Sequence, residues 1–449
     1  MKKIFLLLLF SSTLVLPQNQ KIDKSKLAYE VKQEFLHAWN GYKEYAWGHD
    51  ELLPLSKSDK DWYGESLLLT PIDAFGTMKI MGLDKEANEA KNLILTELSF
   101  DKDISVQVFE ANIRLLGGLL SAYQLDGDKR FLELATDLAN RLLPAFNSPT
   151  GMPYRFVNLE TGETKDPVSN PAEIGTLILE WGTLSKITGK SIYYEKAKKA
   201  LEEVFQRRSK INLVGTFIDV NSGKWTNTDS HISGAIDSYY EYLYKGWLMF
   251  HDPDLKKMWD VSITAINKYL ADSTSTGFWY GHADMTTGKR TATIFGSLDA
   301  FFPAVLVLSS DTARAEKLQE SCYKMWTLEG IEPEELDYSN MKITYPNYSL
   351  RPENIESTYY LYHFTRNTKN LEMGKDYFES LVKYCRNDAG YSTLKSVITK
   401  EQADQMHSFF LAETLKYCYL LFAPQNTIDF NKTIFNTEAH PLKVWKAGE

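Results

Sequence analysis

Cysteine is scarce in this chain of 449 residues: Cys322, Cys385 and Cys418 are all it has. An odd count of three allows at most one disulfide, so packing must hold the fold together. Basic charge is also in deficit. Lys and Arg number 50 against 59 Asp and Glu, a net charge of −9, which argues against a nucleic-acid-binding footprint. After the first segment no run of about eighteen apolar residues occurs, so no membrane span or anchor is expected. No Pro-, Ser- or Gly-rich linker and no charge block interrupts the chain, and one domain over residues 21–449 is expected. His-Glu-x-x-His is missing, no Cys/His cluster has zinc spacing, and Gly189-Lys190-Ser191 lacks the upstream glycine of a phosphate loop. Gly-x-Ser-x-Gly is absent too. Zinc, nucleotide and serine-hydrolase chemistry therefore have no support.

What is present begins with MKKIFLLLLFSSTLVLPQNQ: two lysines, then an apolar stretch from Ile4 to Leu16. This predicts a secretory signal over residues 1–20, cleaved near Leu16 to Gln20. No cysteine follows it, so a lipid-anchored form is not expected. The product would be secreted or periplasmic, or lumenal in the endoplasmic reticulum of a eukaryote. Hydrophobic residues make up 43% of the chain, enough for a large core, and aromatic residues 13%. Aromatic rings suit sugar faces, but they are equally ordinary core material.

Turn signals recur at Gly82-Leu83-Asp84, Asp126-Gly127-Asp128, Thr188-Gly189-Lys190, His251-Asp252-Pro253, Ser310-Asp311-Thr312 and Arg366-Asn367-Thr368. After the first, the spacing is about sixty residues. The segments before these turns, such as VFEANIRLLGGLLSAY and YYEYLYKGWLMF, are apolar all round and read as buried inner helices. Those after them, such as KRFLELATDLANRLLPAF and SIYYEKAKKALEEVFQRR, are amphipathic and read as outer helices. About fourteen helices in seven pairs predict an all-α fold, a closed (α/α)7 barrel. The helix before His49-Asp50-Glu51 is counted with the inner ones. YRFVNLETGETKD, TFIDVNSGKWTN and FWYGHADMTTGKRTATIF read as hairpins at the entry to inner helices. The tail TIDFNKTIFNTEAHPLKVW reads as a further hairpin, in or over the barrel.

Asp73, Glu110, Glu173, Asp237, Asp299, Glu353 and Glu413 each lie at or near the start of an inner segment. Ring closure would bring them to one end of the barrel. Gathered carboxylates serve glycoside hydrolysis or a hard metal ion. Glu110 has Arg114 one turn on, and either a surface ion pair or an acid in an apolar pocket fits. Val108, Phe109 and Ile113 favour the pocket, with a raised pKa. Asp237 opens DSYYEYLYK, where an N-cap is the simpler reading. Arg351-Pro352-Glu353 with Glu356 forms a polar patch on an otherwise apolar helix.

At these residues the chain resembles the class I α-mannosidases, glycoside hydrolase family 47, over nearly everything beyond the predicted signal. The resemblance rests on VFEANIRLLGGLLSAY, GAIDSYYEYLYK, SLRPENIESTYYLY, SFFLAETLKYCYLLF and FNTEAHPL. It implies an (α/α)7 barrel and an exo-acting, inverting, Ca²⁺-dependent α-1,2-mannosidase that trims high-mannose glycans. It places Glu110 on the general acid, Glu353 on the general base and Asp237 on a third essential carboxylate. Whether Glu110 or Asp237 passes the proton stays open. Thr437 is implied as the Ca²⁺ ligand. Arg114, Glu173, Arg351, Glu356, Phe409, Glu413 and Glu438 are implied to hold the sugar or the water around the ion. The expected partner is a high-mannose oligosaccharide or N-glycoprotein, and a monomer is expected.

Several residues depart from the family pattern. Ser297-Leu298-Asp299-Ala300-Phe301-Phe302-Pro303 replaces His-Leu-x-Cys-Phe-x-Pro, closer to the ER-degradation-enhancing branch. Ala300 leaves Cys322 without the disulfide partner that the resemblance would supply. His407 stands in a Glu position, Ala235 at a site where members differ, and Gly76 where a second Asp is usual. A mannose-binding, lectin-like homologue without turnover is the alternative. A different barrel enzyme, such as an epimerase or a six-hairpin hydrolase, is a third reading.

Overall fold

The computed structural model describes residues 22–446; the predicted signal segment lies outside them. Among the described residues the inner helices are Leu69–Met81, 108–126, 171–188, Asp237–Phe250, 298–308, Glu353–Thr365 and 410–422. Each of the first six packs against the helix that follows it: Asp84–Glu97, Lys129–Leu142, Ser191–Gln206, Pro253–Tyr269, Thr312–Thr327 and Lys369–Tyr384. The seventh packs against Lys24–Tyr45, and also against Leu69–Met81, which closes the ring. The fold is the (α/α)7 barrel.

Lys24–Tyr45 is thus an outer helix, not the inner one expected. Its buried residues Leu27, Val31, Phe35, Ala38, Trp39 and Tyr42 form one stripe, and the other faces meet water. A single stripe covers one neighbour; an inner helix must be apolar all round. Leu69–Met81 shows the contrast, with eleven of its thirteen residues buried.

The six predicted turns share one geometry. A residue with positive φ ends the inner helix: Gly82 (67°), Gly127 (85°), Gly189 (71°), His251 (57°), Ser310 (71°) and Arg366 (61°). This reverses the chain within a few residues. Side chains of Asp128, Asp252 and Asp311 then accept N–H groups of the next helix.

Short sheets tie neighbouring repeats together at the other end. The strand entering an inner helix pairs with the hairpin of the next repeat. Ser105–Gln107 joins Phe156–Asn158 and Thr164–Lys165; Val168–Ser169 joins Phe217–Asp219 and Lys224–Asn227. Asp229–Ser230 joins His282–Asp284 and Arg290–Ala292 in the same way.

The C-terminal hairpin, Thr433–Phe435 paired with Pro441–Lys443, runs inside the barrel. It enters from the turn end, where Lys443 N donates to Gln124 Oε1 and Trp445 N to Met249 O. Its tip, residues 436–440, lies among the inner helices. Asn436 Nδ2 donates to Ile113 O (3.0 Å) and to Glu180 Oε1 (2.8 Å), and Lys416 Nζ donates to Ala439 O. Asn436 and His440 have no exposed surface.

Gly117 makes room for this plug. A Cβ there would lie 2.6 Å from Asn436 Nδ2. Gly117 is helical, so alanine would ordinarily stabilise it by about 1 kcal/mol. Here the doubly bonded Asn436 cannot retreat, and the sign reverses. Gly117→Ala is expected to destabilise the protein by about 1–3 kcal/mol, read as a lower denaturation midpoint. A midpoint equal to or above the parent's contradicts this account of the plug.

Candidate functional site

Seven inner helices, pointing their first turns the same way, leave a cavity at the hairpin end; the plug tip is its floor. Its volume is about 430 Å³, within the usual range for small-molecule sites. Glu110, Arg114, Glu173, Asp237, Arg351, Glu353, Glu356, Phe409, Glu413, Thr437 and Glu438 all line it. The ring therefore brings together every site residue that the family resemblance implied.

Local structure explains how these side chains reach the cavity. Asp237 and Glu353 are the first residues of their helices, so no preceding turn screens them. Asp237 is not the cap of its helix: Ile236 takes that position, and Asp237 Oδ1 accepts from Ser238 N (2.7 Å). Glu173 lies in the first turn of Pro171–Gly175, whose cap Asn170 accepts Glu173 N (2.9 Å). Two inner helices carry π-turns, Ala111–Leu116 and Phe410–Thr414. These turns widen the helix where Ile113, Arg114 and Glu413 line the cavity, a common position for such bulges.

Arg114 links four elements. Nε donates to Glu110 Oε2 (2.8 Å), and Nη1 to Glu438 on the plug and to Ser408 Oγ (3.4 Å). Nη1 is also 3.5 Å from Asp73, and the guanidinium lies over the rings of Trp62 and Phe409. The apolar pocket expected around Glu110 is therefore replaced by a half-buried ion pair.

On the far wall, Arg351 Nε lies 3.2 Å from both oxygens of Glu334, and Nη1 is 4.0 Å from Glu353 Oε1. Arg155 binds Glu173 through Nε (2.6 Å) and Nη2 (2.8 Å), and Gln107 Nε2 adds a third bond (2.9 Å). Lys245 is buried, bonded to Glu241 and 3.8 Å from Glu356.

Burial sets the proton affinities. It pushes Glu353 up to about 7, against the pull of Arg351. It pushes Asp237 up to about 7, against the bonds from Ser238. Glu356 rises to about 8, with Lys245 opposing. Glu413 and Glu438 are held well above the ordinary carboxylate range, first by burial. For Glu413, the neighbouring carboxylates Glu438, Glu353 and Glu356 add to the push.

Eight carboxyl side chains line the cavity against three arginines. No histidine or cysteine lines it, and Glu353 Oε2 is buried without a partner. An all-oxygen donor set with excess negative charge fits a hard divalent cation such as Ca²⁺. Thr437, on the floor, has its amide tied to Tyr242 Oη (3.2 Å).

Two acids of the sequence pattern stay outside. Asp73 is fully buried beneath the floor, accepting from Ser408 and paired with His440 at 3.3 Å. Asp299 lies behind the wall, accepting Gly296 N (2.8 Å). Conversely, Glu241, Arg155 and Gln107 line the cavity and were not singled out. Glu241 lies one helical turn after Asp237, a spacing that points the same way; Gln107 ends a strand, Arg155 precedes one, and neither carried a periodic signal.

Several departures have a local account. Ser297 Oγ donates to Glu334 Oε2 (3.0 Å), so the serine steadies the carboxylate that holds Arg351. His407 pairs with buried Glu51 (3.1 Å) and stacks on Phe409. Cys322, Cys385 and Cys418 are all free and buried. A Cβ on Gly76 would meet only ordinary contacts.

Burial pushes Glu334 up, but Arg351 holds it below its ordinary value. In Glu334→Gln the guanidinium is left to Glu353 and one like charge disappears. Both effects lower the Glu353 midpoint, by about one unit, in a carboxyl-carbon NMR titration. An unchanged or higher midpoint contradicts this electrostatic coupling.

The sequence pattern of glycosyl hydrolase family 47 matches residues 34–444. Alpha-mannosidase I MNS5 of Arabidopsis thaliana is 36% identical, across 99% of this chain and 82% of that protein. The ER degradation-enhancing alpha-mannosidase-like protein 2 of Mus musculus is 37% identical, across 95% and 79%. The solved alpha-1,2-mannosidase from Trichoderma reesei superposes with a TM-score of 0.86 at 30% identity, covering 94% of this chain and 99% of that one. A cellobiose 2-epimerase from Bacillus thermoamylovorans, at 11% identity and a TM-score of 0.60, shares the fold alone. The match over residues 34–444 and the relatives spanning nearly the whole chain lead to one conclusion: the protein belongs to glycosyl hydrolase family 47, with the class I α-mannosidases.

Proposed function

We propose that the protein is an exo-acting, inverting, Ca²⁺-dependent α-1,2-mannosidase that trims terminal mannose from high-mannose glycans. The observation that carries this reading is the pairing of acids across one closed-floored cavity. Glu110 and Glu353 stand on inner helices three places apart, the widest separation a ring of seven allows. Asp237 stands between them along the other arc. A sugar ring and one water fit between opposed carboxyls in an inverting site. The plug blocks the far end, so only a chain terminus enters.

Glu353 is the base: as an anion it takes a proton from the water that attacks the anomeric carbon. Asp237 or Glu110 supplies the proton that the departing oxygen needs as the glycosidic bond breaks. The push of burial raises Asp237 to about 7, so a protonated fraction is held near neutral pH, as an acid requires. Arg351 favours the anionic form of Glu353. Arg114, Arg155 and Phe409 orient the sugar through charge-assisted bonds and an apolar ring face. When bound, Ca²⁺ supplies a hard positive centre for sugar hydroxyls and offsets the carboxylates; Thr437 would hold it through oxygen atoms. The apolar N-terminal segment accords with action on glycans outside the cytosol.

An NMR time course of an α-1,2-linked mannobiose with Ca²⁺, then with EDTA, tests the reading. β-Mannose is expected first, and EDTA is expected to stop its release. α-Mannose as the first product overturns the inverting mechanism; binding without release moves the protein to the lectin-like alternative. Glu353→Gln is expected to lower turnover by about 10²–10⁴-fold while binding persists, measured by rates and calorimetry. Full turnover in that variant removes Glu353 as the base.

A further inference from the structure

Behind the Asp237 wall lies a second polar cluster. Asp229, His231 and His282 hold potential ligand atoms within 4.8 Å of one another. The arrangement does not suit a metal ion. The two imidazoles stack, with ring centroids 4.4 Å apart and planes 26° from parallel. Nitrogen lone pairs lie in the ring plane, so stacked rings aim them side by side and not at one point. Both nitrogens of His231 are also engaged by protein groups.

Those bonds form a directed chain that ends at Asp237. Ser233 N can only donate, so His231 Nδ1 accepts from it (3.2 Å). The proton of a neutral ring must then sit on Nε2, which donates to Thr216 Oγ1 (3.1 Å). Thr216 passes its own hydroxyl proton to Asp229 O (2.7 Å). Asp229 is anchored in turn by His282 Nδ1 (2.6 Å) and Thr291 Oγ1 (2.6 Å). At the other end, Ser233 O accepts both Ile236 N (3.1 Å) and Asp237 N (3.0 Å). The turn so held contains Ala235 at φ 75°, a conformation that non-glycine residues rarely adopt. A turn of that kind persists only when its surroundings fix it.

We propose that His231 is a positioning residue for Asp237. Its neutral Nε2–H imidazole, clamped by Thr216 and stacked on His282, holds the turn 233–236 and thereby aims the Asp237 carboxyl into the cavity. The inference rests on the mannosidase reading for its effect on turnover, but the hydrogen-bond chain stands without it. The groups facing His231 agree with a neutral ring. Burial pushes its pKa down to about 3, and the stacked His282 acts in the same direction against Asp229. His282 is moved the other way: burial lowers its proton affinity, but the bond to Asp229 and the charges of Asp299 and Glu335 raise it above the ordinary imidazole value.

Two substitutions and one spectrum test the proposal on the full chain. His231→Ala removes the acceptor for Ser233 N; His231→Asn keeps one, in its side-chain oxygen. The alanine variant is expected to lose about ten- to a hundredfold in kcat on α-1,2-mannobiose with KM nearly constant, and the asparagine variant to recover most of it. Parent-like kcat in a folded alanine variant overturns the proposal, as does an asparagine variant no better than alanine. Should the alanine variant not fold, ¹⁵N-histidine NMR of the parent protein decides. His231 must show an acceptor Nδ1 and a protonated Nε2 unchanged from about pH 5 to 8; the opposite tautomer, or a titrating ring, overturns the chain. Should the parent release no mannose, the functional reading fails alone. The Asp237 carboxyl-carbon titration then carries the test: its midpoint must move by about half a unit or more in His231→Ala and return in His231→Asn. A midpoint that stays put overturns the positioning role.

Discussion

The guanidinium of Arg114 is the constraint on which the rest of the site depends. It is 6% exposed and binds Glu110 on its own helix, Glu438 on the C-terminal plug and Ser408 before the last inner helix. It also faces Asp73 on the first inner helix. One cation thus ties the plug tip to the wall on both sides of the ring closure. Removing one partner from a buried ion pair typically costs about 3–5 kcal/mol, because the other charge is left stranded. The floor of the cavity, its depth and the place of Thr437 all follow from that link.

The remaining carboxylates are an electrostatic burden. Glu353, Glu356, Glu413 and Glu438 crowd the low-dielectric interior, and burial drives each of them toward the protonated form. A fold selected for stability alone would place apolar groups there. Such a conflict between packing and charge is what functional sites retain. The fold moderates it with fixed partners: Arg351 beside Glu353, Lys245 beside Glu356, and the N-terminal turns of helices that begin at Asp237 and Glu353. Helix N-termini favour negative charge without adding a counter-charge that would compete for substrate. The unpartnered oxygen of Glu353 marks the place where this compensation stops.

Most departures from the family pattern fall in the layer behind the cavity; Ala235, beside Asp237, lines it. Ser297 acts on Glu334, which acts on Arg351, which in turn faces the lining carboxylate of Glu353. Ala300 and Cys322 are both fully buried, so packing replaces the covalent bridge that the family resemblance would supply. His407 supports Glu51 and Phe409 at the seam between the first and last repeats. Direct lining residues and their supports therefore vary separately, which keeps one acid arrangement on a changed scaffold.

The sequence by itself determined the repeat, the turns and a set of acids from which the lining ones are drawn. Helical periodicity distinguishes helices buried all round from helices buried on one stripe, and polar turn residues mark each reversal, with Asp directly after the positive-φ residue at Gly127, His251 and Ser310. These are local properties, written within a few residues of one another. It also determined which end of each inner helix carries a carboxylate, because Asp237 and Glu353 stand at first positions whatever the ring does. Tertiary structure alone decided which acids reach the cavity. Asp73 and Asp299 have the same sequence placement as Glu110 and Asp237, yet ring closure turns them behind the wall. It alone made the first helix an outer one, since its partner is the last helix of the chain. It alone joined Arg114 to Glu438 and His231 to the turn before Asp237. Those contacts depend on the angle at which seven repeats close and on how deep the hairpin enters, and no local pattern encodes either quantity.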